Sequence, residues 1–261
     1  MSDSIKPDIL ALDFDGVLCD GRAEYLESSW RVYREIWKAS EVDLEALRPR
    51  FYELRSVIET GWEMPLLLRS LHEDVSETKI LDDWSSVVSE MLEKHGLTPQ
   101  EMARWLDEKR DRWLETNPDD WLAHHEFYQG AIARLEAILN QQTTEVYIIT
   151  TKEGRFTKTL LDQQGISFPP DQIIGKEVKQ PKRKTLTTLL VNRDRASLWF
   201  VEDRLPTLLS VADSPELQSV QLFLATWGYN TARSRSFAAE NQQIRLLTLN
   251  QFQQDFSQWY K

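Results

Sequence analysis

The chain has 261 residues, with 31 Lys or Arg against 42 Asp or Glu and a formal net charge of −11. That length holds one large or two smaller domains with ample core, and the acidic balance argues against a general nucleic-acid surface or an anionic membrane as partner. The single cysteine, Cys19, excludes an intramolecular disulfide, and no apolar run approaches the roughly 18 residues of a membrane span, so a soluble cytoplasmic protein is expected.

In chain order, MSDSIKPDI lacks a basic region followed by a long apolar segment, and Asp8–Leu12 then reads as a buried strand. It runs into Asp13-Phe14-Asp15-Gly16. Residues alternate sides along a strand, so Asp13 and Asp15 share a face, and two acids so close repel unless a cation holds them. The competing reading is an ordinary turn at Asp15-Gly16 with Asp13 in water. Cys19 reads as a buried small hydrophobe rather than a nucleophile.

Between 22 and 129 only Gly61 and Gly96 occur among 9 glycines, which points to helices rather than tight turns. Amphipathic stretches predict helices at Tyr25–Ala39, Leu44–Glu59, Met64–His72, Lys79–His95 and Pro99–Trp113. Trp30, Trp37, Trp62, Trp84, Trp105, Trp113 and Trp121 fall in this region and read as core. His124-His125-Glu126 lacks zinc-site spacing and reads as a hinge.

The remainder alternates strand and helix. Strands are predicted at Val146–Ile149, Gln172–Ile174, Leu198–Val201, Val220–Ala225 and Ile244–Thr248, and helices at Ala131–Gln141, Arg155–Gln164, Lys184–Asn192 and Leu205–Val211. The expected fold is α/β, a Rossmann-like parallel-sheet core interrupted after its first strand by an all-helical insertion. Ligands of such sheets bind beyond the carboxyl ends of the strands. Those ends carry Asp13-Phe14-Asp15, Thr150-Thr151-Lys152 and Glu202-Asp203, with Lys176, Lys179, Lys182, Arg183 and Lys184 on the segment between the last two.

This order resembles the four motifs of the haloacid dehalogenase superfamily, in its phosphoglycolate phosphatase and β-phosphoglucomutase-like branch. The Gly130 turn of FYQGAIARLEAIL and the Trp-Gly-Tyr of VQLFLATWGY agree with it. The resemblance implies a catalytic core at 1–20 and 129–261 and a helical cap at 21–128 that closes over the site and governs substrate choice. It implies Asp13 as nucleophile, Asp15 as acid/base, Thr150 or Thr151 on the phosphoryl oxygens, and one lysine neutralising charge. Lys182 suits a lysine opening a helix, with Lys179 and Lys184 as alternatives.

Magnesium would be held by the Asp13 carboxylate, the Asp15 backbone carbonyl and Asp203, with Glu202 binding directly or through water. Arg22, Glu24, Tyr25, Arg31 and Arg34 follow the first motif closely enough to face a substrate cleft, Arg22 foremost. The implied activity is a magnesium-dependent phosphatase on a small phosphorylated metabolite. A phosphomutase of the same fold and a noncatalytic binding protein are the alternatives, and the sequence leaves the assembly state open.

Overall fold

The computed structural model describes residues 6–38, 42–191, 193 and 196–260. The chain forms two compact units, one from Met1–Asp20 with Glu126–Lys261 and the other from Gly21–His125.

The first unit is built on strands β1 (Ile9–Leu12), β2 (Cys19–Asp20), β3 (Glu126–Phe127), β4 (Glu145–Ile149), β5 (Ile173–Ile174), β6 (Leu198–Glu202), β7 (Gln221–Ala225) and β8 (Ile244–Leu247). Six of them make one parallel sheet in the order β5-β4-β1-β6-β7-β8. All four residues of β1 are buried, as a central parallel strand covered on both faces requires. Helices Ala131–Gln141, Gly154–Gln163, Lys182–Leu190, Leu205–Ala212 and Ala232–Glu240 connect the strands. After β5 the chain returns to the opposite side of β1, so strand order reverses beside β1 and opens a crevice at the carboxyl ends of β1, β4 and β6.

The fold is therefore the expected Rossmann-like α/β core with a helical insertion. Each predicted strand matches an observed one to within one residue at either end. The helix predicted at Lys184–Asn192 instead begins at Lys182 and ends at Leu190, and Asn192 lies outside the described residues. The antiparallel pair β2 and β3 has no counterpart among the predicted strands: Cys19 pairs with Phe127 and Asp20 with Glu126. That pairing ties Glu126–Tyr128 to the sheet-bearing unit, so the units divide after His125 rather than after Tyr128.

Among the described residues the second unit is all-helical, with helices at Arg22–Trp37, Leu44–Leu54, Met64–His72, Glu77–Asp82, Trp84–His95, Pro99–Thr116 and Pro118–Ala123. The helix expected at Lys79–His95 is two helices. Asp83 breaks it with φ −148° and ψ 64°, and its carboxylate caps the second helix by accepting from Ser86 N at 3.2 Å. The Leu44–Glu59 prediction ends early at Leu54 and tightens into a 3-10 turn at Arg55–Val57. Ala39, the predicted end of the first helix, lies outside the described residues.

Trp84, Trp113 and Trp121 are buried, while Trp30, Trp37, Trp62 and Trp105 are half-buried. Glu24 is fully buried within this unit and accepts from Arg110 Nε and Nη2 at 2.7 and 2.8 Å, and Tyr25 lies against the guanidinium groups of Arg55 and Arg110. A buried acid needs such a bidentate partner to offset its lost hydration. Arg22 packs its guanidinium 5.2 Å from the Tyr52 ring centre, and Arg31 stacks at 3.9 Å on Trp113. Among the described residues no helix is long and apolar enough to cross a membrane.

Candidate active site

Asp13 leaves β1 with its amide donating to Val201 O of β6 at 2.9 Å, so sheet pairing sets the direction of its side chain. Its Oδ1 accepts from the next amide, Phe14 N, at 2.7 Å, which fixes the carboxylate further. The chain then turns back: the amides of Val17, Leu18 and Cys19 all donate to Phe14 O, and Gly16 N donates to Cys19 O. Gly16 holds φ 86°, a region that disfavours a side chain, and a Cβ there would sit 2.1 Å from Asp203 Oδ2. Cys19 is buried, as expected.

Two further strand ends meet this turn. At the end of β6, Glu202 is fully buried and Asp203 almost so. Lys182 opens its helix, and its Nζ lies 2.8 Å from both Asp13 Oδ2 and Glu202 Oε2. It is the lysine that reaches Asp13; Lys179 and Lys184 are exposed. The other oxygen of Glu202 accepts from the amides of Asp203 and Arg204 at 3.1 and 3.0 Å. Both Glu202 oxygens are thus engaged by the protein, which suits it to holding Lys182 in place more than to direct metal ligation.

At the end of β4, Thr150 is buried and its hydroxyl accepts from Lys152 N at 3.1 Å, while Thr151 is exposed. Lys152, which follows Thr150 by two residues, places its ammonium 3.4 Å from Asp15 Oδ1. The approach is an ion pair without hydrogen-bond geometry, since that oxygen is buried with no hydrogen-bond donor.

Asp13, Glu202 and Asp203 offer carboxylate oxygens within 4.8 Å of one another. Burial first, and then the Glu202 charge, push the Asp13 carboxyl up to about 8 against the opposing pull of Lys182. Burial likewise raises Asp203, with Asp13 adding to it, and raises Glu202 despite the lysine. Lys182 is pulled down by burial, but the charges of Asp13 and Glu202 and its hydrogen bonds to them outweigh this and hold it above its ordinary value. Three carboxylates against one ammonium leave two negative charges uncompensated when all are ionised. An all-oxygen donor set with that excess fits a hard divalent cation such as magnesium.

A loop after β7 closes around Asp203, and sequence reading assigned it no role. Tyr229 N donates to Asp203 Oδ2 at 2.6 Å, Asn230 Nδ2 donates to Asp203 O at 3.1 Å, and Trp227 Nε1 donates to Val17 O at 3.1 Å. Tyr229 also donates its hydroxyl to Asp20 Oδ1 at 3.0 Å. Gly228 is the tight point: a Cβ there would lie 2.3 Å from Asp203 Cβ and 2.4 Å from Gly16 O. We expect Gly228→Ala to cost about 1–3 kcal/mol through overpacking against Asp203. Thermal unfolding checks this, and an unchanged Tm would contradict the fit.

The strand order and the helical insertion match the fold of solved haloacid dehalogenase-like proteins. A protein from Clostridium acetobutylicum described as a predicted phosphatase superposes with a TM-score of 0.58 at 15% identity, over 95% of this chain and 97% of that one. A haloacid dehalogenase-like family hydrolase from Streptococcus pneumoniae gives 0.54 at 16% identity, over 93% and 94%. Protein Tyrosine Kinase A of Mycobacterium tuberculosis gives 0.50 at 15%, over 88% of each chain. At these identities the likeness is one of fold, and the same fold is used by proteins with different names for their activity. No family model and no curated protein sequence matches the chain.

Proposed function

We propose that the protein is a magnesium-dependent phosphatase that hydrolyses a small phosphate monoester through an aspartyl-phosphate on Asp13. The observation that carries this reading is the Asp13 carboxylate fixed by Phe14 N, 2.8 Å from the Lys182 ammonium and beside Asp203. Asp13 and Asp203 with the Asp15 carbonyl would hold magnesium, which would supply charge neutralisation between an anionic nucleophile and a phosphate dianion. Glu202 orients Lys182, and any share it takes in holding the metal runs through a water.

In the first step an Asp13 oxygen forms a bond to phosphorus while the bond to the leaving oxygen breaks, and the Asp15 carboxyl gives that oxygen a proton. In the second, Asp15 takes a proton from water as its oxygen attacks phosphorus, and the acyl-phosphate bond breaks to return Asp13 and release inorganic phosphate. Thr150 donates its hydroxyl to the phosphoryl oxygens and Thr151 stands beside it, while Lys182 stays within reach of both nucleophile and phosphoryl group. Lys152 holds the resting Asp15. The helical unit is the cap of this scheme and selects the leaving group, with Arg22 as a candidate contact.

Incubation with magnesium and a panel of phosphate esters, read as free phosphate, tests the reading. Release from at least one small ester is expected. Isomerised sugar phosphate without net release would mark a phosphomutase instead, and no turnover in any magnesium-containing reaction would favour a noncatalytic binding protein. A metabolite substrate also accords with a cytoplasmic setting, where the lone Cys19 stays reduced.

A further inference from the structure

The basic segment 176–184 is only partly used by the proposed reaction. It carries Lys176, Lys179, Lys182, Arg183 and Lys184 against one acid, Glu177, in a chain whose net charge is −11. Glu177 is spoken for, because its carboxylate accepts from Gly154 N at 3.3 and 3.2 Å. Lys182 is committed to Asp13 and Glu202, and Lys176 lies 3.1 Å from Glu153. Lys179 and Arg183 form no ion pair among the described residues, although both line a cavity of about 570 Å³.

That cavity lies between the ends of β4 and β5, the 176–183 segment and the start of the Leu205–Ala212 helix, and it adjoins Thr150 and Lys182. Ile149, Ile174 and Pro206 give it apolar walls, and Val178, an exposed apolar side chain, stands at its edge. Lys179 ends the Lys176–Val178 turn in a left-handed backbone with φ 51°, its amide donating to Lys176 O at 3.1 Å. Its volume is in the range of small-molecule pockets, and apolar walls with a few convergent charges are their usual make-up.

We propose that this cavity binds an organic anion, with its apolar body against Ile149, Ile174 and Pro206 and a negative group at Lys179 and Arg183. The anion is either a second charged group on the leaving part of the phosphate ester or a separate effector. In both cases the chemistry of recognition is the same. The excess of cations here also gathers anions toward an otherwise acidic surface.

The probe is 1-anilinonaphthalene-8-sulfonate, an apolar arene with one anionic group, titrated by fluorescence while the Ile methyl resonances are followed by NMR. Wild type is expected to bind one equivalent and to shift the Ile149 and Ile174 methyls. Lys179→Ala/Arg183→Ala is expected to weaken binding at least tenfold, and Thr207→Trp, which fills the cavity, to abolish it. Unchanged affinity in the folded double variant, or shifts confined to other methyls, would overturn the proposal.

Kinetics then separate the sources. If the anion belongs to the substrate, the double variant loses at least tenfold in kcat/KM for 4-carboxyphenyl phosphate and keeps its rate on phenyl phosphate. If it is an effector, both esters keep their rates in the variant, and the arylsulfonate changes phenyl phosphate turnover only in wild type. Probe binding that is lost in the variant while neither ester is hydrolysed would sink the phosphatase reading and leave the pocket standing.

Discussion

Asp13→Asn is expected to abolish ester hydrolysis, by at least about 10⁴-fold, because an amide oxygen cannot serve as the phosphoryl acceptor. The same change should make the metal-free protein progressively more stable, relative to wild type, as pH rises. The unfolded Asp13 carboxyl titrates near 3.8, whereas in the fold burial and Glu202 push it up to about 8. Below 3.8 it is protonated in both states and contributes no difference. Between the two values the unfolded chain ionises while the folded one keeps its proton, so wild-type stability is lost with rising pH until about 8 and then levels off.

The Asp13→Asn variant has no such proton to hold. Its amide will also set a donor against the Lys182 ammonium, which adds a cost. The Tm difference between the variant and wild-type protein, measured after chelation, should therefore climb from about pH 4 to about pH 8. Its span should be no more than about 6 kcal/mol, the ceiling for a shift from 3.8 to about 8, at about 2–4 °C per kcal/mol for a chain of this size. Magnesium should raise the wild-type Tm more at about pH 8 than at about pH 5, since ligating carboxylates must first lose their protons. A Tm difference that stays flat with pH would show that Asp13 is not buried in the way described.

Lys182→Met should be damaging in both respects. It removes the ammonium that lies 2.8 Å from Asp13 and from Glu202 and leaves their buried carboxylates without the cation between them. Breaking a buried charge cluster by deleting one partner typically costs about 3–5 kcal/mol. The loss should shrink as pH falls, because Asp13 and Glu202, both raised, can take up protons. Turnover should fall by at least about 10³-fold, as for other preorganised charges that stabilise a transition state. Lys184→Met is the control: its side chain is exposed, and neither Tm nor rate should move. Equal losses in both variants would remove Lys182 from its assigned place.

The sheet was legible because β1, β6 and β7 are apolar runs, and burial on both faces imposes that composition directly on the sequence. The helical character of the insertion was legible from periodicity and scarce glycine, but its breaks were not. Periodicity continues through Asp83, and what ends the helix there is a local competition in which the Asp83 carboxylate caps Ser86 N. The pair β2 and β3 is two residues long on each side and joins segments at opposite ends of the helical insertion, so it leaves no alternation to detect. Glu24 looked like a surface acid near a cleft because its partner, Arg110, lies 86 residues on.

The sequence by itself determined that acids follow β1 and end β6, that Thr150 follows β4, and that a lysine-rich segment lies between the last two. Each of those is a local pattern, a polar residue following an apolar run. Tertiary structure decided which side chains meet: that Lys182 bridges Asp13 and Glu202, that Lys152 faces Asp15, and that Gly228, Tyr229 and Asn230 enclose Asp203. The physical reason is that these are short-range contacts between strand ends and loops distant in the chain. Only the parallel sheet, by stacking those ends side by side, brings them within a few ångströms of one another.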